Sequence, residues 1–264
     1  MKLKKQKMKV IYGVHSILEN LKFYKDSMKK ICYVRSKENT KKLEKIKYLA
    51  NQNSCYIESL TKKAFLEIAT QYAINNKVHQ NIIGICKNNI RIYKESDLQK
   101  VLQPCLNNSI ILITDCIKDP QNLGACIRSA SAFGANCVIF PKDKNARITP
   151  AVEKASSGAI NSVKLISITN MSRTIQLLKE MGIWIVGLSL EAKNSIYEID
   201  LTGSIALIVG DEGNGLRAST AQNCDYLAQI PMSSSINSIN VSTAAGISLY
   251  ETTRQRWKRK SQRT

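Results

Sequence analysis

Apolar positions along the chain alternate between strand-like and helix-like spacing. KVIY (9–12) reads as a strand, and in HSILENLKF (15–23) Ile17, Leu18 and Leu21 share one helical face. KKICYVRS (29–36) predicts a second strand. KKLEKIKYLANQ (41–52) predicts a helix, with Leu43, Ile46 and Leu49 at helical spacing. CYIES (55–59) is a short strand, Thr61 stands where a helix over 61–71 needs an N-cap, and HQNIIGIC (79–86) closes the series with an apolar strand. Residues 1–86 therefore read as one small α/β domain. The stretch 87–108 is polar and lacks periodicity, so it reads as a linker with at most a short helix around 95–103.

From residue 109 the alternation restarts at larger scale. SIILITD (109–115), CVIF (137–140), GIWIVGL (182–188), SIALIVG (204–210) and YLAQIPM (226–232) are near-continuous apolar runs. Such strands are buried on both faces, which predicts a parallel sheet covered by helices. The helical segments fall at 122–133, 149–159, 171–181 and 217–223, with a final helix over 240–260. The fold class is α/β throughout, with 109–264 as the second domain.

Composition adds two constraints. The net charge of +19 is unevenly placed: residues 1–90 hold 19 Lys/Arg against 6 Asp/Glu, residues 91–251 hold 14 of each sign, and 252–264 hold six basic groups and no acid. A basic first third and a basic tail around a neutral middle fit nucleic acid better than a merely solvated lysine surface. The eight cysteines form no CxxC pair and accompany only two histidines, His15 and His79. A structural zinc does not fit that spacing, and reduced thiols in a cytoplasmic protein do. No apolar run reaches the roughly 18 residues of a membrane span, and the basic N-terminus lacks the apolar segment of a secretory signal.

Ligands of open parallel sheets bind beyond the carboxyl ends of the strands, and three loops occupy that position. The first, DPQNLGACIRSASAFGA (119–135), follows SIILITD. Asn122 is a candidate N-cap. Leu123, Cys126, Ile127 and Ala130 form a core-facing stripe, and Gly124, Ala125, Ser129 and Ala132 thin the flank. Arg128 lies outside the stripe, and its spacing alone suits a surface arginine. The second loop, GDEGNG (210–215), has three glycines that permit close backbone approach and an acidic pair, Asp211 and Glu212. GNGLRA (213–218) formally matches a dinucleotide fingerprint, but the two acids separate it from its strand and the next strand ends without an acid, so that reading fails. The third loop runs from Ile230 to Ser242 and is rich in Ser and Asn. No histidine follows residue 79, which excludes a Ser-His-Asp hydrolase in this domain.

Together these loops resemble the motifs of the SpoU/TrmH family of RNA ribose 2′-O-methyltransferases, in the SPOUT class. Residues 115–135 match the family's first motif at Asp115, Asp119, Pro120, Asn122, Gly124, Ala125, Arg128, Ser129, Ala130, Phe133, Gly134 and Ala135. KASSGAI (154–160), IVGDEGNGL (208–216) and IPMSSSINSINVSTAAGISLYE (230–251) resemble the later motifs, so the likeness covers 109–256. Asp211 stands where Asn is usual, Ser234 where Gly is usual and Ile239 where Leu is usual. YGVHSILENL (12–21) and HQNII (79–83) resemble the start and end of an L30e-like RNA-binding domain, with Asn81 departing from the usual Gly.

The resemblance implies a parallel-sheet domain with a deep trefoil knot, a homodimer, and S-adenosylmethionine as methyl donor. It implies catalytic roles for Arg128, Asn122, Glu212, Ser238 and Asn240, with Asn122 and Glu212 holding Arg128 and the ribose. Backbone contacts to the donor come from Gly210, Ile230 and Ile239, and no metal is implied. The substrate expected for members with this N-terminal domain is a guanosine ribose in large-subunit ribosomal RNA. A tRNA ribose methyltransferase and a non-catalytic RNA-binding protein are the alternatives. The family gives the arginine the activating role, yet a guanidinium with a pKa above about 12 is a poor base, so Arg128 is expected chiefly to clamp a phosphate and orient the 2′-OH.

Overall fold

The computed structural model describes residues 8–23, 28–35, 40–72, 74, 79–87, 90–233 and 238–261. They fall into two compact units that divide between Ile90 and Arg91.

The N-terminal unit alternates β1 (Met8–Tyr12), α1 (Val14–Phe23), β2 (Met28–Val34), α2 (Lys41–Gln52), β3 (Tyr56–Leu60), α3 (Lys62–Gln71) and β4 (Ile82–Lys87). The sheet order is β1-β4-β2-β3, with β4 antiparallel to both its neighbours and β2 parallel to β3. Ile17 and Leu21 of α1 and Leu43, Ile46 and Ala50 of α2 bury one face against Ile31 and Cys86. Phe65 and Ala69 of α3 cover the other against Val34 and Ile83. The expected cap is present, with the Thr61 side chain accepting from the Ala64 N–H.

The C-terminal unit is built on eight strands, all parallel to their neighbours, in the order β10-β12-β9-β11-β6-β7-β8-β5. Its elements are β5 (Ile92–Lys94), α4 (Leu98–Leu102), β6 (Ile110–Thr114), α5 (Pro120–Ala132), β7 (Cys137–Pro141), α6 (Pro150–Ala155), β8 (Lys164–Ile168), α7 (Met171–Glu180), β9 (Trp184–Leu188), β10 (Asn194–Ser195), β11 (Ile205–Val209), α8 (Ala218–Gln222), β12 (Tyr226–Gln229) and α9 (Val241–Ser261). Every residue of the central strands β6 and β11 is buried, as the unbroken apolar runs require.

Two expectations are corrected, and one strand was missed. Residues 91–108 are not a linker: β5 pairs with β8, and Leu98, Val101 and Leu102 enter the same core as Ile111, Ile139 and Ile166. Their apolar positions are too few to show a period, but they fill one end of a sheet. The strand KLISI (164–168) was not legible either, because Lys164 and Ser167 break its apolar run. The helix expected over 149–159 stops at Ala155, since Ser157 and Gly158 both adopt positive φ, at 48° and 85°.

The chain leaves β6 for β7 and β8 on one side, while β11, β9 and β12 lie on the other. The sheet's switch point is therefore between β6 and β11, and the crevice beyond their carboxyl ends is where the three motif loops meet.

Candidate active site

Helix α5 starts at Pro120, earlier than its sequence suggested. Asp119, not Asn122, is the cap: its carboxylate accepts from the Gln121 N–H at 3.0 Å, and Pro120 follows in the first turn. Asn122 is thereby released from capping, and its amide is free to reach across the crevice.

The loop after β11 is a tight hairpin. Asp211 and Gly215 exchange backbone hydrogen bonds of 3.0 and 2.8 Å, and Gly215 has φ +63°. A Cβ on Gly210 would lie 2.1 Å from the Gly215 carbonyl oxygen, so this position admits only glycine. Asp115, fully buried at the end of β6, anchors the hairpin's far side. It accepts from Arg217 Nε at 2.7 Å, from Arg217 Nη2 at 2.5 Å and from the Arg217 backbone N–H at 3.2 Å. Asp211 pairs with Lys118 at 3.7 Å and accepts from Asn214 Nδ2 at 3.2 Å, so the charge it adds is locally balanced. Ser234, the second departure, lies outside the described residues.

These anchors bring three predicted residues together. Asn122 Nδ2 donates to Glu212 Oε1 at 2.6 Å, and Asn240 Nδ2 donates to the same oxygen at 2.7 Å and to Asn122 Oδ1 at 2.9 Å. Asn240 is oriented in turn: its Oδ1 accepts from the Ser242 N–H at 2.9 Å and the Ser242 hydroxyl at 2.6 Å, at the start of α9. The cluster thus ties the loops after β6, β11 and β12 to one carboxylate. Beneath it, burial pushes the Cys126 thiol up to about 12, and the nearby Glu212 charge adds to the shift.

Arg128 is not held by this cluster, contrary to expectation. It lies six residues along α5 from Asn122, about 9 Å up the axis and ~120° around it. It is exposed, and its Nη1 donates to Ser157 Oγ at 3.3 Å. The small residues explain how Ser157 arrives there. A Cβ on Gly124 would stand 2.4 Å from Ala155 Cβ and 2.8 Å from the Val152 carbonyl oxygen, so Gly124 lets α6 lie directly on α5. The left-handed turn after α6 then presents Ser157 one helical turn further on. Ser157 occupies a position to which the sequence motifs assign no residue type, so nothing in the chain pointed to it.

Beside the cluster lies a cavity of about 600 Å³ lined by Gly210, Ile230 and Ile239, the three residues expected to contact the methyl donor, and by Glu212 and Ser238. Its apolar walls include Leu188, Leu216 and Leu227, and Glu191 supplies a further carboxylate. The size and mixed lining suit a small molecule with a flat apolar ring and hydroxyl or ammonium donors. Sequence reasoning missed the Leu188–Glu191 contribution, although that loop directly follows β9 and so sits at a strand's carboxyl end. None of the eight cysteines forms a disulfide among the described residues, and burial raises the thiols of Cys55 and Cys224 to about 11.

The fold and this site define a class. Residues 109–250 match the model of the SpoU rRNA Methylase family, and the chain belongs to that family. It is 42% identical over 251 residues to the 23S rRNA (guanosine-2′-O-)-methyltransferase RlmB of Coxiella burnetii, covering 95% of this chain and 97% of that protein. It is 39% identical over 247 residues to the RlmB of Escherichia coli, covering 94% and 98% respectively. Among solved structures, the SpoU methyltransferase AviRb from Streptomyces viridochromogenes in complex with AdoMet superposes with a TM-score of 0.68 at 22% identity, over 95% of this chain and 91% of that one. The A. aeolicus TrmH/SpoU tRNA modifying enzyme gives 0.53 at 28% identity, over 62% of this chain and 85% of that one.

Proposed function

We infer that this protein transfers a methyl group from S-adenosylmethionine to the ribose 2′-OH of a guanosine in 23S ribosomal RNA. One observation carries the reading: a cavity lined by Gly210, Ile230 and Ile239 adjoins a carboxylate held by Asn122 and Asn240 at the switch point of a parallel sheet. The bound donor supplies an electrophilic methyl group on a sulfonium. The protein's own residues must then bring a poor nucleophile, a ribose hydroxyl, into line with it. Relatives named for 23S rRNA align over nearly the whole chain, including the basic N-terminal unit. That supports ribosomal RNA over tRNA as substrate.

Within this reading Arg128 clamps a substrate phosphate. Among the described residues its one partner is a neutral hydroxyl, which leaves the guanidinium charge and most of its donors free for a bidentate contact. Ser238 lies at the cavity wall to meet the ribose. The N-terminal unit is an L30e-like RNA-binding domain, and the C-terminal one carries a deep trefoil knot. The protein works as a homodimer, a proposal supported by the exposed row Ile247, Tyr250 and Trp257 on α9.

The test is methyl transfer from tritiated S-adenosylmethionine to unmodified 23S rRNA and tRNA transcripts. A 2′-O-methyl group blocks alkaline cleavage of the adjacent phosphodiester, so the label is expected in an alkali-resistant dinucleotide that begins with guanosine. Label confined to tRNA, or released by alkali as a mononucleotide, would overturn the reading.

A further inference from the structure

A second cavity, of about 440 Å³, borders the first. Asp211, Asn214, Gly215 and Leu216 line both, so the hairpin after β11 is their common wall. The other walls of the second cavity come from the loops after β6 and β7, which the Ala146 N–H joins by donating to the Ile117 carbonyl at 2.7 Å. Its charged groups are Lys118, Lys144, Arg217, Asp115 and Asp211. Arg217 and the buried Asp115 bond each other, and their charges cancel. Lys118 meets Asp211 only at 3.7 Å, beyond hydrogen-bond length. Lys144 is exposed, and its side chain makes no hydrogen bond or ion pair among the described residues. Lys142 and Arg147 stand exposed on the same loop, beside a single acid, Asp143. Cys116 and Lys144 hold left-handed φ of 67° and 59°, backbone strain of the kind that gathers at ligand sites. Residues 91–251 are neutral in sum, yet here cations collect at the carboxyl edge of the sheet.

We propose that this second cavity is a phosphate subsite for the RNA substrate, with Lys118 and Lys144 as its contacts, an assignment that rests on the functional reading above. The order β9-β11-β6-β7 puts the donor cavity on one side of the hairpin and the lysines on the other. An RNA strand that presents its ribose at the crevice therefore carries a neighbouring phosphodiester past Lys118 and Lys144. Two ammonium groups facing one cavity suit an anion, and neither acid there is available to a cation, since Arg217 and Lys118 already engage them. Asp211 gives the subsite a property of this chain in particular. It stands where Asn is usual and competes with the phosphate for Lys118. Its other partner, Asn214 Nδ2 at 3.2 Å, can hold it when the lysine turns to RNA. A phosphate contact carries no base information, so the subsite sets the register of the strand and leaves the choice of nucleotide to the crevice.

The experiment measures the affinity of the full chain for unmodified 23S rRNA transcript between about 50 and 200 mM salt, for Lys118→Gln, Lys144→Gln, Lys144→Arg and Asp211→Asn. Each Lys→Gln variant should bind about 3- to 10-fold more weakly and lower the slope of log affinity against log salt by about 0.7–0.9, the signature of one lost phosphate contact. Lys144→Arg keeps the charge and should stay within about twofold of wild type. Asp211→Asn should tighten binding about 2- to 5-fold, and the gain should vanish when Lys118→Gln is combined with it. The lysine variants should keep wild-type affinity for S-adenosylmethionine, since neither lysine lines the donor cavity. Lys100→Gln, an exposed change on α4, is the control for net charge. Wild-type affinity and salt slope in both Lys→Gln variants, or an equal loss in Lys100→Gln, would overturn the proposal. So would inorganic phosphate binding that Lys144→Gln abolishes beside an unchanged RNA affinity, which marks a site for free anions. Should wild type itself methylate no RNA, the functional reading falls and this proposal with it. An active wild type beside lysine variants that bind RNA as wild type does removes this proposal alone.

Discussion

Ser157 shows how a single hydroxyl can matter without carrying charge. It accepts from Arg128 and orients the guanidinium, yet leaves its charge for RNA. Ser157→Ala should weaken RNA binding by about 2- to 10-fold, the worth of one ordinary hydrogen bond, with the S-adenosylmethionine affinity unchanged. Ser157→Asp should weaken it further by neutralising the arginine, and electrophoretic mobility shifts distinguish the two. At this scale the sequence was informative about membership and weak about partners. Asn122, Glu212 and Asn240 were all legible as site residues from the loops they occupy. That they bond one another, while Arg128 turns to Ser157, depends on distances across 90 and 118 positions of chain that no local pattern encodes. The Asn122 cap was misplaced because Asp119 and Pro120 form an equally good helix start three residues earlier.

Elements explain why those distances come out as they do. Gly124 sets the spacing of α5 and α6, so Gly124→Ala must push the helices apart. The expected cost is about 1–3 kcal/mol in urea unfolding, together with loss of the Arg128–Ser157 contact. Within helix α9 Glu251 accepts from Arg254 at 2.8 and 2.7 Å and from Gln255 at 2.9 Å, and Gln255 in turn ties the helix to the backbone of Ile199 and Leu201. The Arg254 hydrogen bonds hold the Glu251 carboxyl below its ordinary 4.5. A depressed carboxyl stabilises the fold above the unfolded value, and that contribution disappears as the pH falls through the folded value. Glu251→Gln should therefore flatten the acid side of the stability–pH curve below about pH 4.5, as read by thermal melts. The parallel strands were legible because burial on both faces leaves no polar positions. The short edge strands β5 and β10 and the interrupted β8 lack that signature, and only pairing with neighbours makes them strands.

For the whole molecule, charge and chemistry are segregated. The C-terminal unit carries the crevice, while the net charge of +19 comes from the N-terminal third and the basic tail. RNA affinity should then fall at least about tenfold between 50 and 200 mM salt, with the methyl-donor affinity nearly flat over the same range. A salt-insensitive RNA affinity would contradict that division of labour. If the α9 row is a subunit interface, Tyr250→Asp should shift sedimentation from dimer to monomer. The central claim is that the Asn122–Glu212–Asn240 crevice methylates a guanosine ribose. Its most direct test is mass spectrometry of nucleosides from unmodified 23S rRNA treated with wild type, Asn122→Ala or Asn240→Ala and deuterated S-adenosylmethionine. Wild type should yield deuterated 2′-O-methylguanosine, and each variant at least about tenfold less at unchanged donor affinity. A methylated base, or full yield from both variants, would contradict the account.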